Sequence, residues 1–311
     1  MDDDPSMGLW RSLSGLVNWV PTANGQIAVE RRLLLFLFCV VILISTPLFA
    51  TSPAPKPANP RVTVESDRFI LNADLPAERA NEILAELDRE AERLAKYWDK
   101  RLEGKIVCNV VVDFSAWPKE MIPEEARKKL EQKSAVTLTE RVSLDDKVVS
   151  IKSTVYSTDN VRNLYHEVVH AYCWQTFGRC GPDWYSEGMA EVFAWEQNRS
   201  VGVSYFASAI KYLRDGKSPP SPSEVMSDKG SGRQLWQTYA NRWALCYVLK
   251  NGARYAERFQ SFGRKVLRGE DVDFGKMFAD VEGPLAQDYR QFLQEVGPGY
   301  KFAKGTTKVS N

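Results

Sequence analysis

The chain has 311 residues, of which 44% are hydrophobic and 26% charged, as in a globular protein with a sizeable core. Lysine and arginine together number 41 and aspartate and glutamate 40, so the formal net charge is +1. This balance lacks the basic surplus that phosphate backbones require and argues against a nucleic-acid partner. The chain holds only two histidines, His166 and His170, and both lie in one five-residue window.

An apolar run near the N-terminus predicts a membrane segment. Residues 33–50 (LLLFLFCVVILISTPLFA) follow Arg31 and Arg32 and reach the lower length limit for a membrane span. We predict a cytoplasmic leader over residues 1–32, a single-pass signal anchor over 33–50 and an exported remainder. Cleavage after the run would instead give a secreted or periplasmic protein, and a buried core helix is a third possibility. Residues 51–60 (TSPAPKPANP) are predicted to be a Pro-rich linker.

After residue 60 the hydrophobic pattern changes from strands to helices. The first part predicts strands in 61–71, an amphipathic helix over 76–102, a buried strand in 105–113, a polar helix in 117–132 and a hairpin over 135–153. The second part predicts helices over 159–176, 182–195, 204–213, 235–250, 253–267 and 285–296, with a polar loop over 215–234. This order predicts one α+β catalytic domain over 61–296 with a helical C-terminal half, followed by a flexible tail over 297–311.

The segment His166-Glu167-Val168-Val169-His170 (HEVVH) lies on the first of these later helices. Residues four apart share a helix face, so the two imidazoles can hold one Zn²⁺. A catalytic zinc site has three protein ligands and a water, and Glu167 stands beside the ion rather than on it. The spacing therefore predicts Glu167 as the general base toward zinc-activated water. Two unrelated histidines on an ordinary helix are the alternative.

The third ligand is not a histidine, because no other occurs in the chain. Glu187, in the first turn of the next predicted helix, can point at the same ion after a loop that contains glycine and proline. Glu191 lies four residues further on the same face and can hydrogen-bond a ligand imidazole. The alternatives are a glutamate that only complements the helix dipole, for Glu187, and a solvated surface carboxylate, for Glu191. Cys173 and Cys180 are rival ligands.

The five cysteines show no CxxC spacing, so they do not predict a zinc ribbon or a redox motif. Cys39 lies in the apolar run. If the domain is exported, the other four can form up to two disulfides, and the alternative is four buried thiols.

HEVVH followed by WYSEGMAE at residues 184–191 resembles the gluzincin pattern, in which HExxH precedes a W-x-x-E-G-x-A segment. The match covers about residues 165–193 and is similar to uncharacterised bacterial peptidase-MA-like domains, which often follow an export signal. No HxxGxxH continuation follows, which excludes the metzincin pattern. The G-A-M-E-N-type segment of aminopeptidases is also missing, so the resemblance does not extend to aminopeptidase activity.

The resemblance implies that His166, His170 and Glu187 bind zinc and that Glu167 is the catalytic base. It also implies a zincin-like fold, in which a small mixed twisted sheet lies over the active-site helix. Gluzincins often use a tyrosine on a later helix to stabilise the oxyanion, and Tyr239 lies in a comparable place, with a core aromatic as the alternative.

The leading hypothesis is a zinc peptidase that acts on protein or peptide substrates. The alternatives are a catalytically silent peptidase-like binding module, a closed structural zinc domain, and a zinc hydrolase of non-peptide amide bonds. Many zincins bind the substrate backbone along an edge strand, and residues 148–153 are a candidate, although ordinary sheet pairing is favoured for them.

Overall fold

Five strands from the first part of the described chain form one mixed sheet. A computed structural model describes residues 61–144, 147–197, 204–215, 219–227 and 234–296. The parallel strands β2, β3 and β5 occupy the middle of the sheet, and the outer strands β1 and β4 pair antiparallel, in the order β1-β2-β3-β5-β4. The bounds are β1 Val62–Glu65, β2 Phe69–Ala73, β3 Ile106–Val110, β4 Val136–Leu144 and β5 Lys147–Ser157.

A long helix links the parallel strands β2 and β3, as parallel strands require. This helix, α1 (Ala77–Trp98), buries an apolar stripe in the core that it shares with the inner strands. It ends at Asp99, which has a left-handed φ of 53°. A residue in this conformation cannot continue a right-handed helix, so the extension predicted to residue 102 is wrong.

The hairpin predicted over residues 135–153 is confirmed, and its turn at 145–146 lies outside the described residues. β5 runs on to Ser157, because its last residues pair with β3 on one side and with β4 on the other. The sheet pairing favoured for residues 148–153 is also confirmed, since they pair with β4. The edge strand on this side of the sheet is therefore β4, with β1 at the opposite edge.

The remaining described elements are helical, which confirms an α+β chain with a helical C-terminal half. A short helix, α2 (Glu124–Glu131), covers only the end of the segment predicted over 117–132, after two 3₁₀ turns. The other helices are α3 Val161–Phe177, α4 Asp183–Gln197, α5 Ser204–Asp215, α6 Pro222–Ser227, α7 Leu235–Asn251, α8 Ala256–Arg268, α9 Phe274–Phe278 and α10 Glu282–Glu295.

Two short helices have no counterpart in the sequence prediction. α6 falls inside the predicted polar loop over 215–234, and its Val225 is buried in the core. α9 lies between two predicted helices. Helices of one or two turns show too little periodicity to be recognised from apolar spacing.

No helix among the described residues is long and apolar enough to cross a membrane. The predicted leader, signal anchor, Pro-rich linker and tail, at residues 1–32, 33–50, 51–60 and 297–311, all lie outside the described residues.

Candidate metal centre and active site

α3 presents both histidines on one face. The side chain of Asn160 caps its N-terminus by accepting hydrogen bonds from two backbone N–H groups of the first turn. Gly178 ends the helix with a left-handed φ of 73°. Between these caps His166 and His170 lie one turn apart, with ring centroids separated by 4.9 Å.

The connection from α3 to α4 reverses the chain through two glycines. Gly178 and Gly181 have φ values of 73° and 86°, which strain residues with side chains. α4 consequently packs against α3. Because α4 begins at Asp183, Glu187 lies in its second turn and faces the histidines, rather than in the first turn where it was predicted.

Three donor atoms meet in a small triangle at this point. Nε2 of His166 is 3.1 Å from Nε2 of His170 and 3.2 Å from Oε2 of Glu187. The same carboxylate oxygen is 3.4 Å from Nε2 of His170. Within the described part of the chain, this is the cluster of ligand atoms that could hold a metal ion, and it includes neither of the rival ligands Cys173 and Cys180.

The shape of the triangle fits zinc. Zinc binds imidazole nitrogen and carboxylate oxygen at about 2.0–2.1 Å in tetrahedral sites, which places neighbouring ligand atoms about 3.3 Å apart. The three observed separations of 3.1, 3.2 and 3.4 Å match this edge length. The donor set of two imidazoles and one carboxylate is that of a catalytic site, with a fourth corner left for water or substrate.

Each imidazole has a second partner on its outer nitrogen. Nδ1 of His166 lies 3.2 Å from Oε1 of Glu191, although its N–H direction departs from ideal hydrogen-bond alignment. Nδ1 of His170 lies 3.2 Å from Oγ of Ser186. A carboxylate can only accept, so Glu191 favours the tautomer of His166 that keeps the proton on Nδ1 and turns the Nε2 lone pair toward the triangle.

Glu191 is not a solvated surface residue, since it is only 5% exposed. Its Oε2 accepts a hydrogen bond from Nη2 of Arg162, which is also buried. Sequence reasoning missed Arg162 and Ser186. Arg162 carries a usable signal, because it precedes His166 by four residues on the same helix face. For Ser186 the sequence offers no such signal beyond its position directly before Glu187.

The electrostatics of the cluster favour a cation. Burial alone would lower the pKa of His166, but hydrogen bonds to Glu187 and Glu191 raise it to about 9. Burial would raise the pKa of Glu187, yet its hydrogen bonds with His166 and His170 hold it below the usual range. Burial likewise opposes ionisation of Glu191, and Arg162 together with His166 lowers its pKa. Two carboxylates therefore stay anionic at the site, that of Glu187 in the triangle and that of Glu191 behind His166.

Glu167 is held beside the triangle by β4. The hydroxyl of Thr137 donates a hydrogen bond of 2.8 Å to the backbone carbonyl of Glu167 and joins the edge strand to the motif helix. Among the described residues, none donates a hydrogen bond to the carboxylate of Glu167, which lines a cavity together with His166 and His170. Its side chain therefore remains available to a water or a substrate in that cavity.

Tyr239 reaches the site from α7. Its ring centroid lies 5.9 Å from that of His166, and it lines the same cavity, so it is not a purely core aromatic. Burial and the carboxylates of Glu187, Glu191 and Glu167 raise the pKa of its phenol. The hydroxyl therefore stays protonated near neutral pH and can act as a hydrogen-bond donor.

The four described cysteines, Cys108, Cys173, Cys180 and Cys246, are buried free thiols, so the structure matches the thiol alternative rather than the disulfides. The thiol of Cys180 lies 3.6 Å from the carbonyl oxygen of His170, and Cys180 lines the same cavity as the donor triangle.

Comparison with protein-family models found none that matches the chain, and no curated protein matches it. A functional assignment therefore depends on the geometry of this site together with the residue pattern that builds it.

Proposed function

We propose that this chain is a zinc-dependent hydrolase that cleaves peptide bonds, with a gluzincin-type site on a zincin-like fold. The observation that carries the proposal is the triangle of His166, His170 and Glu187 donor atoms, whose edges match a tetrahedral zinc site. Glu167 lies beside it, in a cavity of about 700 Å³. A large pocket with converging polar groups is the expected setting for catalysis.

The chain's own residues can carry the proton transfers of hydrolysis. Zinc, when bound, would lower the pKa of a coordinated water toward about 7 and polarise a carbonyl. The carboxylate of Glu167 takes the proton from the attacking water and passes it to the leaving nitrogen. The phenol of Tyr239 donates a hydrogen bond to the oxygen on which negative charge develops.

Two features support a zincin-like fold and a peptide substrate. The mixed sheet is tied to the motif helix α3 through Thr137 of β4. β4 is an edge strand, and its Val136 and Thr137 line the cavity. An edge strand presents unpaired backbone groups that can pair with an extended peptide. We therefore propose β4, rather than residues 148–153, as the strand that binds the substrate backbone.

The proposed location follows from the apolar run over residues 33–50. A signal anchor would keep the protein in the membrane with a cytoplasmic N-terminus and an exported catalytic domain. Cleavage of the same segment would release the domain in secreted or periplasmic form.

The test uses the full-length chain purified in detergent. We expect one zinc per chain by elemental analysis and cleavage of a complex peptide mixture by mass spectrometry. Glu187→Ala should lose the metal, whereas Glu167→Gln should keep the metal and lose about 10²–10⁴-fold in hydrolysis rate. Glu270→Gln is the control, since Glu270 lines the cavity but is not part of the triangle.

Each outcome separates the proposal from a rival. Zinc bound without hydrolysis would favour the silent binding module, and hydrolysis confined to non-peptide amides would favour the other hydrolase. A parent chain that binds no zinc would overturn the proposal. Equal zinc in the parent and in Glu187→Ala would remove Glu187 from the ligand set.

A further inference from the structure

The cavity at the metal centre continues on both sides of the donor triangle. The part of about 700 Å³ lies against the end of α3, the start of α4 and α8, and is called the α8 arm. A second part of about 350 Å³ lies against α2 and the start of α7, and is called the α7 arm. The residues that line both arms, and so stand between them, are Val136, His166, Glu167 and Tyr239.

Each arm is large enough for more than one amino-acid residue. Pockets of roughly 300–1,000 Å³ hold whole drug-sized ligands, and both arms fall in this range. A substrate whose scissile bond lies at the triangle therefore has room on both sides of that bond. A peptidase specific for a terminal residue needs such room on one side only.

Both arms offer exposed apolar side chains. Among the described residues, few large apolar side chains are exposed, and two of them lie in this cleft. Trp174, 37% exposed, lines the α8 arm, and Leu235, 70% exposed, lines the α7 arm next to Trp236. Exposed apolar groups in a cleft mark surface that a ligand covers. Apolar side chains of a peptide would find contacts on either side of the metal.

The charged groups at the triangle are already engaged. Glu187 faces the two histidines, and Glu191 is paired with Arg162 and His166. Only Glu167 remains, and it serves as the proposed base. No further charged side chain of the donor cluster is therefore left, within the described chain, to neutralise a terminal ammonium or carboxylate beside the scissile bond. The charged side chains of Arg179, Asp183, Glu270 and Asp271 line the α8 arm outside that cluster. An unpaired terminal charge would be costly there.

We propose that the site cleaves internal bonds of extended polypeptides, with apolar side chains seated in both arms. This inference rests on the proposed peptidase function and narrows its substrate class. In the reaction, the oxygen of water bonds to the carbonyl carbon and the C–N bond breaks. One product takes the new carboxylate, and the other takes a proton on its amine.

The test compares two peptides of one sequence with the full-length, zinc-loaded chain. Each is an internally quenched decapeptide with leucine and phenylalanine on both sides of its centre. One has free termini, and the other is N-acetylated and C-amidated. We expect the same internal bond to be cut in both, with kcat/KM values within about threefold, since neither terminus is recognised.

Variants of the two arms test whether apolar side chains of the substrate bind in them. Leu235→Ser should weaken the preference for apolar substrate residues on one side of the cut bond by about tenfold. Trp174→Ala should weaken the same preference on the other side by a similar factor. Both residues are exposed, so folding should persist. Val142→Ser is the control, because Val142 is 56% exposed on β4 but lines neither arm.

The outcomes distinguish this inference from the function on which it rests. Cleavage only of the peptide with a free N-terminus would overturn internal cleavage and leave the peptidase standing, with Asp183 of the α8 arm as the candidate amine-binding group. Cleavage of neither peptide would overturn both. Effects of Leu235→Ser and Trp174→Ala on the same side of the bond would also overturn the two-arm arrangement.

Discussion

Arg162 of α3 and Glu191 of α4 form a buried ion pair directly behind the donor triangle. One carboxylate oxygen accepts from the guanidinium, and the other lies 3.2 Å from Nδ1 of His166. Glu191 therefore joins the two helices that carry the donor triangle and supports one of its ligands. Such outer partners commonly orient an imidazole and raise its basicity.

Replacement of Glu191 by alanine should weaken both stability and zinc affinity. It leaves the guanidinium of Arg162 buried without this partner, and breaking a buried pair typically costs about 3–5 kcal/mol. Zinc affinity should fall about 10–100-fold because His166 loses its support. Denaturant unfolding of the zinc-free protein and zinc competition with a chelating dye measure the two effects separately.

The control is the double variant Arg162→Met with Glu191→Leu. Replacing both charges by apolar groups removes the buried guanidinium together with its lost partner Glu191, so most of the lost stability should return while zinc affinity stays low. If the double variant were no more stable than Glu191→Ala, the broken ion pair would not be the cause of the lost stability.

The HEVVH pair was predictable because its geometry is local: a four-residue spacing fixes two side chains on one helix face. Glu187 was harder, since its approach depends on the reversal at Gly178 and Gly181, which the composition of the loop indicated. The edge position of β4 was not predictable. It arises because β5 pairs between β3 and β4, and sequence spacing does not encode the order of strands that pair at long range.

Gly188 should be intolerant of alanine because α4 and α7 meet there. A Cβ at this position would lie 2.4 Å from Sγ of Cys246 and 2.7 Å from the carbonyl oxygen of Arg242. The helices would have to separate, at a cost of about 1–3 kcal/mol. Because α7 also carries Tyr239, kcat should fall more than zinc affinity.

Thermal unfolding and peptide hydrolysis measure this effect, with Gly275→Ala as the control. At Gly275 a Cβ would meet only a side-chain oxygen of Asp273, at 3.2 Å, so stability should change by less than about 1 kcal/mol. Equal behaviour of the two alanine variants would contradict the close approach of α4 and α7.

Tyr239→Phe should separate transition-state stabilisation from binding. The ring and its packing beside His166 are retained, and only the phenol donor is lost. Removal of one oxyanion donor lowers kcat by about 10²–10³-fold, so we expect a drop of this order with unchanged KM and zinc content. Steady-state kinetics on a peptide substrate provides the measurement, and Tyr212→Phe, on α5, is the control. A raised KM with unchanged kcat would assign Tyr239 to substrate binding instead.

A second buried charge network, separate from the donor triangle, predicts how stability depends on pH. Glu90 of α1 is 0% exposed; its Oε2 accepts a hydrogen bond from Arg93, while its Oε1 is buried without a hydrogen-bond partner. Arg93 also pairs with Glu196 of α4, which in turn pairs with Lys250 of α7. Burial raises the pKa of Glu90 from 4.5 to about 7, although Arg93 opposes the shift.

Because this pKa is raised on folding, the folded protein keeps a proton that the unfolded chain loses between about pH 4.5 and 7. The contribution of Glu90 should therefore lower stability as pH rises through this window, by on the order of 3 kcal/mol. In Glu90→Gln this contribution is absent. The free energy of unfolding of the variant relative to that of the parent should therefore rise between about pH 4.5 and 7 and stay constant above pH 7. Denaturant unfolding from pH 4.5 to 8 measures the difference, with Glu92→Gln, an exposed change on the same helix, as the control. A constant difference between Glu90→Gln and the parent across this range would show that Glu90 is ionised throughout in the folded protein.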